Sequence, residues 1–152
     1  MTKSNEHSRL SFVLKASVFA TGLAGIVAEY VLSTLATYLL GNAVFQWTMV
    51  MSLMLFAMGL GSRLSRYITS RLLDAFLFTE FTLSVLCGAS SMLAYGLAGK
   101  TSYIDLIIYT LALAIGLLIG LEIPLVTRIN QEYEELRVNI AAVMEKDYYG
   151  AL

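Results

Sequence analysis

Apolar residues along this chain gather into four long stretches, separated by shorter polar ones. A helix needs about 20 mostly apolar residues, each rising ~1.5 Å, to cross a hydrocarbon layer of roughly 30 Å. Inside such a layer every backbone N–H and C=O must be paired within its own segment, so each stretch predicts a helix. The stretches run from Phe12 to Leu32, Phe45 to Tyr67, Ala75 to Ala98 and Tyr103 to Val126. Between the first two, Ser33 to Val44 is uncharged and contains Gly41-Asn42, a turn signal. Those residues allow either a longer first helix or a fold back at the surface.

After Val126 the pattern changes. Ile129, Tyr133, Leu136, Ile140 and Val143 recur at spacings of four, three, four and three, with Glu132, Glu134, Glu135 and Arg137 among them. This periodicity predicts an amphipathic helix over 127–147, docked on the bundle, lying in the headgroup layer or binding a partner. Asp147-Tyr148-Tyr149-Gly150-Ala151-Leu152 then reads as the opening of a further span. The expected organisation is an all-α, polytopic membrane bundle. It comprises an N-terminal tail over 1–11, a four-helix transmembrane domain over 12–126, the amphipathic helix over 127–147 and the start of a fifth span over 148–152.

Composition agrees with lipid as the main solvent: 58% of residues are hydrophobic, 14% are charged and the mean hydropathy is +0.74. Ten basic residues against eleven acidic ones leave no surface to neutralise a run of phosphates, which excludes nucleic acid as a partner. The basic residues are sorted by loop. Lys3, Arg9, Lys15, Arg63, Arg66, Arg71, Arg128, Arg137 and Lys146 fall on one alternating side, and Lys100 alone on the other. Positive charge stays on the cytoplasmic side of short loops, so both the N-terminus and the segment after Val126 are expected in the cytoplasm, as four crossings require. The apolar run that follows Lys3, Arg9 and Lys15 continues to Leu32 with no cleavage pattern, so it is expected to anchor rather than be removed.

Three glutamates interrupt the spans, and an ionisable group in hydrocarbon costs about 2.5–3.5 kcal/mol or more unless it finds a partner or water. Counting along the expected helices puts Glu29 near the outer surface, and Glu80 and Glu122 at one level near the cytoplasmic end. Arg63 and Arg66 fall at that level too. The four side chains therefore form either a structural ion-pair cluster or a binding or relay site. Pro124 has no N–H for the carbonyl of Gly120, so the fourth helix is expected to kink or open around Glu122 and offer free carbonyl oxygens. Small residues form stripes at helical spacing: Ala16, Ala20, Ala24 and Ala28; Ser84, Gly88 and Gly96; Ala112, Gly116 and Gly120. These are expected to be packing seams between helices. The sequence carries no Cys/His cluster of metal-ligand spacing, no phosphate-cradling glycine loop and no nucleophile elbow, so no metal or cofactor is expected. Cys87 lies in an apolar stretch and His7 in the N-terminal tail.

Several ordered motifs resemble one family. They are Ala28-Glu29 with Thr34-Leu35-Ala36-Thr37-Tyr38-Leu39-Leu40-Gly41-Asn42, then Phe56-Ala57-Met58-Gly59-Leu60-Gly61-Ser62, then Gly120-Leu121-Glu122-Ile123-Pro124-Leu125, and the ending from Asp147. From about Phe12 to Leu152 the chain resembles the membrane region of bacterial membrane-bound spermidine synthase-like proteins. In that family the membrane region precedes a soluble domain that transfers an aminopropyl group from decarboxylated S-adenosylmethionine to putrescine. The resemblance implies a fragment or one piece of a split protein, held in the bacterial inner membrane and non-catalytic by itself. Its implied partners are the lipid bilayer, a cytoplasmic aminopropyltransferase domain or further membrane helices, and a polyamine. Only Glu29, Glu122 and Pro124 map onto motif positions. A second class of function, part of a transporter or binding protein for a cationic solute, would use Glu80, Glu122 and the backbone at Pro124.

The charge asymmetry has a direct test. A periplasmic phosphatase fused after Glu134 should be inactive and one fused at Lys100 active; the reverse pattern would contradict the four-crossing topology.

Overall fold

The computed structural model describes residues 2–98, 100, 103–130 and 136–151, with the side chains of 12–98, 100, 103–130 and 140–151. Its elements in order are α1 (Thr2–Leu40), α2 (Ala43–Leu64), a short 3-10 helix (Ser65–Tyr67), α3 (Leu72–Ala98), α4 (Ile104–Asn130) and α5 (Leu136–Ala151). The fold is all-α. Four of the helices are long and apolar enough to cross a membrane. Large apolar side chains such as Phe12, Leu55, Phe56, Phe78, Phe81 and Met92 are exposed around the bundle.

The first reversal is local chemistry. Gly41 and Asn42 both take positive φ, 77° and 51°, which ends α1, and the Asn42 side chain accepts the Phe45 N–H at 3.3 Å to start α2. No earlier signal stops α1, so the uncharged residues from Ser33 to Leu40 continue it. Glu29 consequently sits eleven residues, about 16 Å, short of the helix end, and not near its outer end as the shorter expected helix placed it. The backbone of residues 2–11, expected as a tail, also belongs to α1.

At the other end of the bundle, α2 tightens into the 3-10 helix and the chain becomes extended at Ile68. Arg128, from the last turn of α4, donates to the Ser65 carbonyl at 3.1 Å and the Ile68 carbonyl at 2.6 Å. The Ser65 carbonyl also accepts the Ile68 N–H at 3.1 Å, so the guanidinium adds a second donor there and complements the negative end of the helix dipole.

Helix α4 is central and contacts α1, α2, α3 and α5. Its Ile108, Ile115 and Ile119 form one core with Leu32 and Ala36 of α1, Val50 and Met54 of α2, and Leu83 and Ala94 of α3. A second core joins Leu14, Val18, Phe76, Val126 and Val143. The stripe Ala112, Gly116 and Gly120 is a seam as expected: a Cβ at Gly116 would lie 2.6 Å from the Met54 carbonyl oxygen, and one at Gly120 would strike the Met58 backbone. Gly61 of α2 meets the Leu117 backbone in the same way. The α3 stripe differs. Ser84, Gly88 and Gly96 are exposed, and a Cβ at Gly88 or Gly96 would meet nothing within 4 Å. The α1 stripe is mixed, with Ala16 and Ala20 exposed and Ala28 buried.

The expected opening at Pro124 does not occur, since α4 runs unbroken from Ile104 to Asn130. Proline removes one backbone hydrogen bond, and the close seam with α2 on either side of Gly120 keeps the helix continuous through that loss. The helix expected over 127–147 is divided: Thr127 to Asn130 complete α4, and α5 carries on past Asp147 to Ala151. Glu132, Tyr133, Glu134 and Glu135 lie outside the described residues, as does most of the expected loop at 99–102. Asp147 meets α1 at Gly22 and Gly150 meets it at the Phe19 backbone, so α5 lies along α1.

Gly120→Ala should lower stability by about 1–3 kcal/mol, through forced separation of α2 and α4. Gly88→Ala, in open space on a helix, should cost nothing. Unfolding of the two variants in mixed detergent micelles is the comparison; equal effects would contradict the seam.

Candidate functional site, an acidic cleft among the helices

Two hydroxyls on one face of α1, Ser17 and Thr21, are spaced four residues apart and therefore stacked. Both reach Glu80 of α3. Ser17 Oγ donates to Glu80 Oε1 at 2.9 Å, and Thr21 Oγ1 lies 3.0 Å from that oxygen and 3.2 Å from Oε2. Thr21 Oγ1 also lies 3.1 Å from the Ser17 carbonyl, and its one proton serves one acceptor at a time.

Glu122 projects from α4 toward the same place. It is 2% exposed, lies against Thr21 and Glu80, and is within electrostatic reach of Asp147. Its Oε1 has no hydrogen-bond partner. Sequence spacing placed Glu80 and Glu122 at one level, and the structure brings them together. The arginines are elsewhere. Arg63 and Arg66 are exposed, Arg66 Nε turns back to the Arg63 carbonyl at 3.3 Å, and no ion pair joins either to Glu80 or Glu122 among the described residues. Arg63, in the last turn of α2, and Arg66, in the 3-10 helix, both face away from the acids, and the glutamates are held by hydroxyls instead.

On the far side of Thr21 a cleft of about 300 Å³ opens between α1, α2, α4 and α5. Its polar lining comes from Thr21, Glu29, Ser62 and Asp147, and its apolar lining includes Ile26, Met58, Ile119, Ile123 and Pro124. Gly120 lines it too, next to Pro124, which offers its carbonyl no N–H. Asp147 is set there by glycine: Gly22 admits the Asp147 backbone, its carbonyl oxygen 2.6 Å from where a Cβ would stand, and Gly150 admits the Phe19 backbone. Burial pushes the Asp147 carboxyl above the ordinary carboxylate range. A smaller groove of about 270 Å³ lies across α1, lined by Ser17, Thr21, Glu80, Ser84 and Cys87 among others. Thr21 borders both.

Of the residues singled out from the sequence, Glu29, Gly120 and Pro124 thus line the cleft, Glu122 lies behind its Thr21 wall and Glu80 lines the groove beyond. Sequence reasoning missed Ser17, Thr21, Ser62 and Asp147. The signal for the first two was present, as two hydroxyls one turn apart in an otherwise apolar span. Asp147 gave a weaker one, the last acid before a tyrosine-rich apolar run. Chemically, the cleft presents two carboxylates, two hydroxyls and no cationic side chain among the described lining residues, an arrangement suited to a cation with apolar parts.

No family model and no solved structure matches the chain. Curated proteins do. It is 54% identical over 144 residues to polyamine aminopropyltransferase 2 of Aquifex aeolicus, covering 94% of this chain and 29% of that protein. It is 36% identical over 139 residues to the polyamine aminopropyltransferase of Leptospira interrogans, covering 91% of this chain and 28% of the relative. Polyamine aminopropyltransferase 1 of Streptomyces coelicolor is 36% identical over 153 residues, 98% of this chain and 29% of the relative. The chain spans less than a third of the length of each of these proteins. Nearly all of it therefore matches the N-terminal part of the polyamine aminopropyltransferases.

Proposed function

We propose that this chain is a non-catalytic membrane module that anchors, or otherwise serves, a cytoplasmic aminopropyltransferase region lying outside it. The observation that carries the reading is the coincidence of two extents. The part of each relative that matches this chain is the part built here from four helices long and apolar enough to cross a membrane. Aminopropyl transfer needs a shaped pocket for a nucleotide-like donor and a second substrate beside it. The polar groups of these helices are instead a few hydroxyls and carboxylates in a narrow cleft. The nine-to-one distribution of basic residues supports a bacterial inner-membrane protein with its N-terminus in the cytoplasm.

A second reading, binding or passage of a cationic solute such as a polyamine, is supported by the acid-lined cleft. The two readings are compatible, since a module that tethers an enzyme can also hold a ligand.

The first reading is tested by fractionation and assay. The chain fused to a fluorescent protein should remain in the membrane pellet after alkaline carbonate extraction, and the purified chain should transfer no aminopropyl group from decarboxylated S-adenosylmethionine to putrescine. Release into the carbonate supernatant would refute membrane anchoring, and product above a membrane-only control would refute the non-catalytic assignment.

A further inference from the structure

We infer that the groove lined by Arg66 and Arg128, at the ends of α2 and α4, binds the phosphate of an anionic phospholipid headgroup. The inference rests on the membrane reading above and adds a lipid site to it. The groove holds about 540 Å³ and is open to the outside; Ser62, Ile123 and Pro124 separate it from the acidic cleft and border both. Its charged lining is the two guanidinium groups, with no acid among the described lining residues.

Both arginines are held by backbone and keep donors to spare. Arg128 gives Nη1 to the Ser65 and Ile68 carbonyls, and Arg66 gives Nε to the Arg63 carbonyl. A guanidinium is a planar fork of five N–H donors, so each retains an edge that can grip an oxyanion. No carboxylate pairs with either one among the described residues. The C-terminal ends of α2 and α4 bring roughly half a negative charge each, which two full positive charges exceed, so the groove stays positive.

Position selects the anion. Tyr67, next to Arg66, ends one candidate span, and Asn130, two residues past Arg128, ends another. In a membrane the groove therefore lies at the level of the headgroup phosphates, where basic pockets between helices collect anionic lipid. Ile123 of α4 and Ile140 of α5 add an apolar wall on which the glycerol and first acyl carbons can lie. A free phosphate would use the arginines alone and leave that wall wet, so the wall favours a lipid as the source.

The test uses the purified full chain in detergent at constant ionic strength, with phosphatidylglycerol, phosphatidylcholine and glycerol 3-phosphate as probes. Phosphatidylglycerol should raise the melting temperature at concentrations about fivefold or more below those phosphatidylcholine needs, and glycerol 3-phosphate should give no shift. Arg66→Gln and Arg128→Gln should each remove the preference. Arg63→Gln, at an exposed arginine outside the groove, should retain it. Arg128→Gln also loses the bonds to Ser65 and Ile68; should it fail to fold, Arg66→Gln decides. Equal potency of the two lipids, loss of the preference in Arg63→Gln as well, or its survival in Arg66→Gln overturns the site. A preference seen only after Glu132, Glu134 and Glu135 are replaced by glutamine assigns the arginines to the chain's own acids and overturns it too. Stabilisation by glycerol 3-phosphate that depends on Arg66 overturns the lipid as the source. A chain retained in the carbonate-washed membrane without any lipid preference refutes the site alone, whereas release by carbonate refutes the membrane reading beneath it.

Discussion

Helices α2 and α4 meet backbone to backbone at Gly61, Gly116 and Gly120, and α1 and α5 do so at Gly22 and Gly150, positions where a Cβ would fall on the neighbouring main chain. For helices that lie in hydrocarbon, as we propose for these, no hydrophobic force drives association, so short-range dispersion and weak Cα–H to carbonyl contacts would hold them. Both act only at such close approach. The placement of Glu122 and Asp147 follows from these seams. The α2 and α4 seam fixes the face of α4 that turns Glu122 toward α1, and the α1 and α5 seam sets Asp147 against the same stretch of α1. Widening either would spread the acids apart and open the cleft between them.

The same geometry accounts for polar groups at depth. Glu80 is held by the Ser17 and Thr21 hydroxyls, so the bundle keeps a part-buried carboxyl on hydroxyl donors where arginines were expected. Arg128 serves a different purpose, tying α4 to the Ser65 and Ile68 carbonyls just past the end of α2. What remains is an asymmetric interior. Acids gather around Thr21 on two sides of α1, and the arginines Arg63 and Arg66 stand on the outer surface.

Hydropathy alone made the four long helices legible, because length and apolarity are local properties of a stretch. The juxtaposition of Glu80 with Glu122 was legible too, from residue counts along two antiparallel helices. Depth for Glu29 was not: it required knowing that Ser33 to Leu40 continue α1, and uncharged residues carry no stop signal until Gly41 and Asn42. The expected arginine partners failed because counting gives level but not direction, and Arg63 and Arg66 are both exposed on the outside of the bundle. The small-residue stripes were equally ambiguous. One on α4 is a seam and one on α3 faces outward, and nothing in the spacing of Ser84, Gly88 and Gly96 distinguishes them. Asp147 was hidden for a tertiary reason, since its role exists only once α5 lies along α1.

The central claim is that an otherwise apolar bundle carries an acid-lined cleft along one side of α1. Neighbouring residues on that helix test it most directly: Ile26 lines the cleft, and Val27 is exposed on the outer face. With Cys87 replaced by serine, Ile26→Cys and Val27→Cys would be treated in native membranes with a permanently charged, water-soluble thiol reagent. The account predicts that the cysteine at 26 is modified and the one at 27 is not, because only the first meets water. Equal modification of both, or protection of both, would contradict it.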